Sequence, residues 1–255
     1  MAYLRFAAAS HRGFERENNE DSVYAGRRLL ALADGVGGQA AGEVASSIVI
    51  RELATLDPDD RGADVLDDLG AAIDRANAAI ALHIRDHPGH RGMATTVTAL
   101  LFVGDEAGLV HVGDSRAYLL RDGSLSQITK DETLVQMLVD QGSLSPQEAS
   151  VDPRRSVVLR ALDGGPIKPV LQRRAVRIDD RYLLCSDGVS DVLPPTALAD
   201  ALLADDPQRG AYPLVLEAIH AGSSDNVSCV VAHVVDHDAG YNIPLAWGAV
   251  ADAPV

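Results

Sequence analysis

Three aspartates stand at the edges of apolar, strand-like runs, and a residue typical of turns follows each of them. They are Asp34 before Gly35, Asp187 before Gly188 and Asp225 before Asn226. Taken singly, each pair is typical of an ordinary turn. Taken together, they predict strand ends that converge on one cation cluster. Because carboxylates and bare backbone carbonyls are ligands of hard cations, the cluster favours Mg²⁺ or Mn²⁺ over zinc.

A polar loop near the start of the chain contains groups that could act beside such a cluster. These are Arg16, Glu20 and Asp21. Standing alone, a loop of this kind is typical of a solvated surface. Beside a cation cluster, however, the Arg16 guanidinium could bind a phosphate through parallel hydrogen bonds, and Asp21 could hold a metal-bound water.

The composition limits the partners that this chain can have. The 255 residues carry a formal net charge of -15, so nucleic acid and anionic membrane are not expected to bind the bulk surface. An anionic substrate would need local positive charge from arginine or a metal ion. The sequence has no run of about 18 apolar residues, so we expect no transmembrane helix. Cys185 and Cys229 predict two free, buried thiols, which suits a reducing cytoplasm.

Hydrophobic periodicity predicts a layered domain. Apolar residues recur at helical spacing from about Ala40 to Leu56 and from about Ala63 to Asp86, and further helices are expected near Pro195 to Leu203 and Tyr212 to Ala221. The strands come in antiparallel-looking runs with helices in pairs between them, unlike the alternating pattern of a parallel sheet. We therefore expect an α+β fold with two antiparallel sheets and helices outside them.

Two further segments are set apart by their sequence. Residues from about Lys130 to Ser156 form a helix-rich insert, in which Ser145-Pro146-Gln147-Glu148 predicts a helix capping box. The tail after Asp238 is expected to be loosely ordered. We therefore assign residues 1–238 to one domain and residues 239–255 to a C-terminal tail or linker stump.

Six short motifs follow one another in a fixed order along the chain. They are Arg16-x-x-Asn19-Glu20-Asp21, Asp34-Gly35-Val36-Gly37-Gly38 with Gly42-Glu43, Gly92-Met93-Ala94-Thr95-Thr96, Gly113-Asp114-Ser115-Arg116, Ser186-Asp187-Gly188 with Asp191, and Asp225-Asn226-Val227-Ser228. Each motif is weak alone, but six in this order are not expected by chance. On these motifs, nearly the whole chain resembles the metal-dependent serine/threonine protein phosphatases of the PPM (type 2C) family, in their bacterial form.

The resemblance implies a fold and a metal centre. The fold would be a four-layer α-β-β-α sandwich, with two antiparallel sheets flanked by helix pairs, and the insert would be the family's mobile flap. The centre would hold two Mn²⁺ or Mg²⁺ ions, with a third, weaker ion beside them. Asp34 would bridge the two ions, and the Gly35 carbonyl would bind one of them. Asp187 and Asp225 would bind the other.

The resemblance also implies a reaction. Arg16 would bind the substrate phosphate, Asp21 would hold a water of the metal shell, and Asp114 would serve the third ion. Two cations about 4 Å apart lower the pKa of a bridging water, and the resulting hydroxide attacks phosphorus directly, without a phospho-enzyme. The substrates would be phosphorylated proteins, including serine/threonine kinases and their targets. We expect a cytoplasmic monomer with no membrane insertion.

Two other functions stay open at this point. The chain could be a non-catalytic regulatory module, a pseudophosphatase, on the same fold. Such a module should lose metal ligands, whereas this chain retains Asp34, Asp187, Asp225 and Arg16. The chain could also act on a different phosphorylated substrate, since a fold does not determine a substrate.

Three positions depart from the family pattern. Gln39 stands where relatives commonly carry a histidine that is a candidate proton donor, and glutamine cannot titrate. His11 stands where relatives usually carry aspartate. We hypothesise that His11 or a metal-bound water donates the proton to the leaving group. The alternative is a loop histidine without a catalytic role. Glu132 replaces a frequent histidine of the flap, so the substrate preference of the relatives' flaps is not carried over.

Overall fold

The computed structural model describes residues 3–36, 41–58, 64–237 and 243–252. Gln39, the first of the departures noted above, lies outside these residues, as do Gly37 and Gly38. Within the four described ranges, no helix has the length and apolar character needed to cross a bilayer. The elements named below belong to these ranges.

Two antiparallel sheets form the centre of the fold. Sheet A has the strand order β1 (Tyr3–His11), β12 (Val227–Val235), β11 (Arg181–Cys185), β8 (Arg116–Arg121) and β9 (Ser124–Gln127). Sheet B has the order β10 (Val170–Ala175), β7 (Glu106–Val112), β6 (Val97–Val103), β3 (Leu29–Ala33), β2 (Ser22–Ala25) and β13 (Leu245–Gly248). Two short strands, β4 (Gly35–Val36) and β5 (Ala94–Thr95), pair separately.

The central strands are apolar throughout because both of their faces are covered. All five residues of β3 are buried. Leu30 and Leu32 face the core between the two sheets, whereas Leu29 and Ala31 face the helices. A strand buried on both faces reads as a continuous apolar run rather than an alternation. Asp34 is the first residue after β3. The buried strand therefore fixes the backbone position of this carboxylate.

Helix pairs cover the outer face of each sheet. Helices α1 (Gly42–Ala54) and α2 (Val65–Asp86) share a hydrophobic core with sheet B. Helices α6 (Pro195–Leu203) and α7 (Pro207–His220) share another core with sheet A. Between the sheets, Phe102 and Tyr182 meet edge to face, with ring centroids 5.3 Å apart. The layer order confirms the α+β fold and the α-β-β-α sandwich that the sequence predicts.

The insert contains two short helices, as the sequence predicts. They are α3 (Leu134–Asp140) and α4 (Pro146–Val151). The capping box at the start of α4 is present. Glu148 N donates to Ser145 Oγ at 3.2 Å, and Ser145 N donates to Glu148 Oε2 at 2.8 Å. A one-turn helix, α5 (Asp187–Ser190), follows β11 outside the insert.

The C-terminal segment differs from the loosely ordered tail that the sequence predicts. Residues 245–248 form β13, which pairs antiparallel with β2 at the edge of sheet B. The short helix α8 (Ala249–Asp252) follows. The sequence pattern missed this strand because its order comes from main-chain pairing with a distant strand, and only Leu245 of β13 packs against the core between the sheets.

Candidate active site

The predicted carboxylates meet where the ends of the two sheets face each other. Asp34 follows β3 of sheet B, whereas Asp187 follows β11 and Asp225 precedes β12, both in sheet A. Asp114 lies in the turn that connects β7 of sheet B to β8 of sheet A. All four line one cavity of about 230 Å³. The structure therefore brings together residues that are as much as 191 positions apart in the sequence, from Asp34 to Asp225.

These carboxylates repel one another. Burial raises the pKa of Asp34 well above its ordinary value, and the charges of Asp21 and Asp187 raise it further. Burial, followed by the charges of Asp114 and Asp225, raises the pKa of Asp187 in the same way. Burial is also the largest cause that raises the pKa of Asp114, to about 7. Because each carboxylate disfavours the charge of the next, a divalent cation would stabilise the whole cluster.

Two further groups were predicted to have metal roles, Asp21 and the Gly35 carbonyl. Asp21 is buried, and its Oδ2 accepts a hydrogen bond from Ser186 Oγ at 2.9 Å. Its Oδ1 is buried without a hydrogen-bond partner among the described residues, and burial raises the pKa of Asp21 to about 6. At Gly35, an added Cβ would lie 2.5 Å from the Gly42 carbonyl oxygen. The backbone there approaches its neighbour too closely for any other residue.

The donor set suits Mg²⁺ or Mn²⁺. It consists of carboxylates and one backbone carbonyl, which are hard oxygen ligands. In the part of the chain that the structure describes, no group of three or more His, Cys, Asp or Glu side chains could hold a metal ion by itself. The Gly35 carbonyl and water would therefore complete the shell, and Mg²⁺ usually keeps several waters when it is bound by protein carboxylates.

Arg16 lies at the rim of this cavity, where it pairs with one of the carboxylates. Its Nη2 donates to Asp225 Oδ2 at 2.6 Å, and about half of its side chain (49%) is exposed. A guanidinium has five N–H donors, so this ion pair leaves others for a ligand. The Arg16 carbonyl accepts a hydrogen bond from Arg12 Nη1 at 3.5 Å, which fixes the loop. Arg16 is thus placed to bind an anion beside the carboxylates.

Asn226 is a positioning residue to which the sequence analysis assigned no role. Its Oδ1 accepts a hydrogen bond from Glu20 N at 2.7 Å. Its Nδ2 donates to the carbonyls of Arg12 and Asn18, each at 2.9 Å. This one amide therefore ties both ends of the Arg16 loop to the start of β12. The available signal was the motif Asp225-Asn226, in which asparagine both donates and accepts hydrogen bonds.

Thr95 and Thr96 position Asp34 in a similar way. Asp34 N donates to Thr96 Oγ1 at 3.2 Å, and the Asp34 carbonyl accepts from Thr95 Oγ1 at 2.9 Å and from Thr96 N at 2.8 Å. Both the N–H and the carbonyl of Asp34 are therefore hydrogen-bonded to these two threonines. The sequence analysis quoted these threonines as part of a motif but did not assign this contact.

A buried chain of hydrogen bonds continues from Thr96 to the base of the insert. Thr96 Oγ1 lies 3.2 Å from Ser115 Oγ, which lies 2.8 Å from Thr98 Oγ1. Thr98 Oγ1 is in turn 2.9 Å from His111 Nδ1, and His111 Nε2 contacts the Lys130 carbonyl at 3.0 Å. Burial is the main cause that lowers the pKa of His111, so the ring is neutral at pH 7. This network connects the insert to the backbone of Asp34.

The structure does not bring His11 to the cavity that Asp34 lines. Its Nδ1 accepts a hydrogen bond from Gly13 N at 3.0 Å, and its ring meets Phe14 edge to face. Glu132, the residue of the insert that departs from the family pattern, makes two polar contacts. Its Oε2 accepts a hydrogen bond from Gly113 N at 3.1 Å, and its Oε1 forms an ion pair with Arg160 Nη1 at 2.6 Å. Glu132 thus holds the base of the insert against the turn that contains Asp114.

A second cavity, of about 350 Å³, lies between the insert and the metal-site candidates. Asp114 and Asp187 line one side of it, and residues of α3 and α4 line the other. Arg155, near the end of the insert, places its Nε 3.3 Å from Asp191 Oδ2. The insert therefore lies beside the carboxylate cluster and contacts the end of α5 through an ion pair.

Comparisons with known proteins determine the family. The model of the family described as protein phosphatase 2C matches residues 10–206. The chain belongs to this family. The serine/threonine protein phosphatase PstP of Mycobacterium tuberculosis is 54% identical over 248 residues, which are 97% of this chain and 48% of PstP. The chain thus spans about half the length of PstP. Protein phosphatase PhpP of Streptococcus pneumoniae is 30% identical over 89% of this chain and 96% of PhpP.

Solved structures of protein phosphatase 2C relatives have the same fold. The crystal structure of the PstP catalytic domain, in complex with two manganese ions, has a TM-score of 0.88 and 53% identity, and the match covers 92% of this chain and all of that one. Stp1 from Staphylococcus aureus has a TM-score of 0.82 and 28% identity, over 90% of this chain and 94% of that one. The resemblance predicted from the six motifs is confirmed.

Proposed function

We propose that this chain is the catalytic domain of a metal-dependent protein phosphatase that hydrolyses phosphoserine and phosphothreonine. The observation that carries this proposal is the convergence of Asp34, Asp187 and Asp225 on one cavity, with Arg16 at its rim. Carboxylates alone would repel a phosphate, so the site needs cations, and its oxygen donors suit Mn²⁺ or Mg²⁺. The manganese-bound PstP catalytic domain, at 53% identity, supports the same assignment.

The proposed metal roles are those that the family resemblance implies. Asp34 would bind two ions, and the Gly35 carbonyl would bind one of them. Asp187 and Asp225 would bind the other, and Asp114 would serve a third, weaker ion. Divalent cations held there supply a nucleophilic water at neutral pH and screen the phosphate's charge.

The chain's own residues bind and orient the substrate. Arg16 binds the phosphate through the N–H donors that Asp225 does not use, and the Asn226 amide keeps the Arg16 loop in place. Asp21 Oδ1, which has no hydrogen-bond partner in the described part of the chain, accepts a hydrogen bond from a water that enters the site. The flap insert (residues 130–156) lies beside the site and contacts the protein part of the substrate. Its α3–α4 cavity is the surface nearest to Asp114 and Asp187.

The proposed substrates are proteins phosphorylated on serine or threonine, including serine/threonine kinases and their targets. We propose further that residues 1–238 form the main part of a monomeric catalytic domain in the cytoplasm, and that the C-terminal extension, residues 239–255, completes it through β13 and α8. The net charge of -15 also makes nucleic acid an unsuitable partner for the bulk surface.

Phosphopeptide turnover with Mn²⁺, measured with and without a chelator, tests the proposal. We expect turnover that the chelator abolishes. Asp34→Asn should lose bound Mn²⁺ and turnover together, whereas Asp122→Asn makes the same chemical change on an exposed turn and should retain both. A non-catalytic module would bind Mn²⁺ or phosphopeptide without turnover. Turnover that persists in the chelator, or in metal-bound Asp34→Asn, would refute the mechanism.

The proton donor needs its own experiment because His11 lies outside the cavity. If His11 supplies the leaving-group proton, His11→Ala should lose the limb of the pH–rate profile that reports a protonated imidazole. Phe14→Ala removes the ring that His11 contacts and serves as the matched control. An unchanged profile in His11→Ala would leave the proton transfer to water.

A further inference from the structure

The C-terminal segment contacts the carbonyl of Asp21 and the residue that follows it, Ser22. Ala249 N donates to the Asp21 carbonyl at 2.7 Å. Val250 N donates to Ser22 Oγ at 3.0 Å, and Gly248 pairs with Ser22 in the β2–β13 ladder. None of these three contacts involves a side chain of the C-terminal segment. Three consecutive residues, from Gly248 at the end of β13 to Val250 in α8, thus hold Asp21 and Ser22.

A second connection leads from the same segment to Gly35. Ser22 Oγ and Ser46 Oγ lie 2.9 Å apart, and Ser46 Oγ donates to the Glu20 carbonyl at 2.6 Å. Ser46 Oγ also lies 3.3 Å from the Glu43 carbonyl. With its single hydroxyl hydrogen directed to either carbonyl, Ser22 Oγ is the donor to Ser46 Oγ. The Glu20 carbonyl also accepts from Gly35 N at 3.2 Å. The hydrogen bonds therefore form one chain: the Val250 amide donates to Ser22, Ser22 donates to Ser46, and Ser46 donates to the Glu20 carbonyl, which also accepts from Gly35 N.

Gly248 is the residue that allows this close approach. Its φ is 79°, which is in the left-handed region. An added Cβ would lie 2.1 Å from the Asp21 carbonyl oxygen and 3.1 Å from Ser10 Oγ. Ser10 Oγ is itself fixed, because it is 2.7 Å from Ser228 Oγ on the neighbouring strand of sheet A. Any side chain at position 248 would therefore push the segment away from Asp21.

We propose that the segment from Leu245 to Val250 is a positioning element of the metal centre, and that Gly248 is its positioning residue. By holding the carbonyls of Glu20 and Asp21, the segment fixes the backbone from which Asp21 and Gly35 reach the ions. This inference rests on the proposed function, since it takes these two groups to be part of the metal site.

Thermodynamic linkage makes the inference testable in both directions. If docking of the segment favours metal binding, metal binding must favour docking by the same factor. Couplings of this kind are roughly 5- to 150-fold. Outer-shell contacts of metal ligands are worth roughly 10- to 100-fold in metal affinity. The coupling therefore predicts that Mn²⁺ stabilises the docked segment and that the docked segment raises the affinity for Mn²⁺.

The first experiment measures amide hydrogen exchange of the intact chain with and without saturating Mn²⁺. We expect Mn²⁺ to slow exchange of the Ala249 and Val250 amides by roughly 5- to 150-fold. Helix α6 lies on the far side of sheet A and serves as the internal control, with a smaller change. Calorimetric titration of the same sample shows whether Mn²⁺ binds at all. Bound Mn²⁺ with unchanged exchange of Ala249 and Val250 would overturn the inference.

The second experiment compares Gly248→Ala with Gly123→Ala. Gly123 has a similar φ of 75° but no atom within 4 Å of an added Cβ, so it has the same backbone strain without the clash. We expect Gly248→Ala to bind Mn²⁺ roughly 10- to 100-fold more weakly and Gly123→Ala to bind it as the unmodified chain does. Emission of Trp247, the only tryptophan, reports whether the strand has moved.

The outcomes separate the two proposals. Failure of the unmodified chain to bind Mn²⁺ or to turn over phosphopeptide would refute the proposed function. Normal Mn²⁺ affinity in Gly248→Ala would overturn the positioning role and leave the function standing. A purely structural role would lower the unfolding temperature of Gly248→Ala while its Mn²⁺ affinity stayed normal, so that result also counts against the inference.

Discussion

At the scale of single residues, the site combines several carboxylates with one exposed guanidinium. The carboxylates line a cavity between the sheet ends, whereas Arg16 lies at its rim with half of its side chain in solvent. Burial and mutual repulsion raise the pKa of Asp34 and Asp187. The positive charge that a phosphate requires must therefore come from the ions and from Arg16 together.

Arg16→Lys tests whether the geometry of the guanidinium matters in addition to its charge. Lysine keeps the charge but loses the fork of N–H donors that matches a phosphate. A charged hydrogen bond is worth about 1.5–3 kcal/mol, so we expect kcat/KM for a phosphopeptide to fall by roughly 10- to 100-fold. Mn²⁺ affinity, measured by calorimetry, should change little. Arg173→Lys is the control, because Arg173 forms exposed ion pairs with Asp64 and Glu106 instead. An equal loss in both variants would contradict a phosphate role for Arg16.

His233 makes stability depend on pH at a site remote from the carboxylates. It is 5% exposed, and its Nε2 has no hydrogen-bond partner among the described residues. Burial, followed by the charges of Arg181 and Arg5, lowers the pKa of His233 to about 4, although Asp206 and Asp205 oppose this shift. The unfolded chain therefore binds a proton near pH 6.5 that the folded chain does not bind until about pH 4.

This difference in proton binding sets the sign of the pH effect. Stability from neutral His233 is complete above pH 6.5 and is lost as the pH falls towards 4. Between pH 7 and pH 5 the loss is about 2 kcal/mol, at about 1.4 kcal/mol per pH unit below 6.5. His233→Leu should lack this loss. Urea unfolding of both chains in a chelator measures it, and the difference between them cancels the titration of the carboxylates. Equal pH dependence would refute the assignment.

At the scale of elements, the sequence predicted best where apolar periodicity is strong. The ends of α2 differ from the predicted helix by only two residues, at its start. Helix α7 was predicted from Tyr212, but it begins at Pro207. Gly210, a weak helix former, lies in the added stretch. The Asp206 side chain, which accepts from Gln208 N at 2.9 Å, caps the true start. Local propensity was thus overridden by a cap and by packing of the helix on sheet A.

The site itself could be predicted only in part, for a physical reason. The carboxylates stand at strand ends, where an apolar run followed by a turn is visible in the sequence. Thr95, Thr96 and Asn226 act through hydrogen bonds to residues far away in the chain, and no spacing rule reveals such partners. Strand β13 was missed for the same reason, because its order depends on β2.

His111→Leu tests whether the buried network between the insert and Asp34 stabilises the domain. Loss of the imidazole removes the side-chain partner of the Lys130 carbonyl, whereas Thr98 Oγ1 keeps its hydrogen bonds to the Ser115 carbonyl and hydroxyl. An unsatisfied buried polar group costs about 1–3 kcal/mol, so the free energy of unfolding should fall by about that amount. His220→Leu, on the exposed face of α7, is the control and should stay within about 0.5 kcal/mol of the unmodified chain. A loss no larger than that of the control would show that the network contributes little.

At the scale of the whole molecule, the fold holds buried like charges that work against its own stability. The chain already carries a net charge of -15, and at least four of its carboxylates face one cavity between the sheets. Bound divalent ions should therefore act as part of the folded structure, in addition to their proposed role in hydrolysis. The consequence is a stability that depends on metal concentration.

Thermal unfolding with Mn²⁺ at about 100 times its Kd should show a stabilisation of about 2.7 kcal/mol relative to the chelated chain. For a domain of this size that is roughly 5–10 °C in the unfolding temperature. Since salt also screens the net charge, the chelated chain in KCl of equal ionic strength is the reference. Asp187→Asn removes one proposed ligand and one repulsive charge, so it should unfold at a higher temperature than the unmodified chain in chelator and respond less to Mn²⁺. If KCl reproduced the whole effect of Mn²⁺, the stabilisation would come from screening of the surface, and the buried carboxylates would not be a metal site.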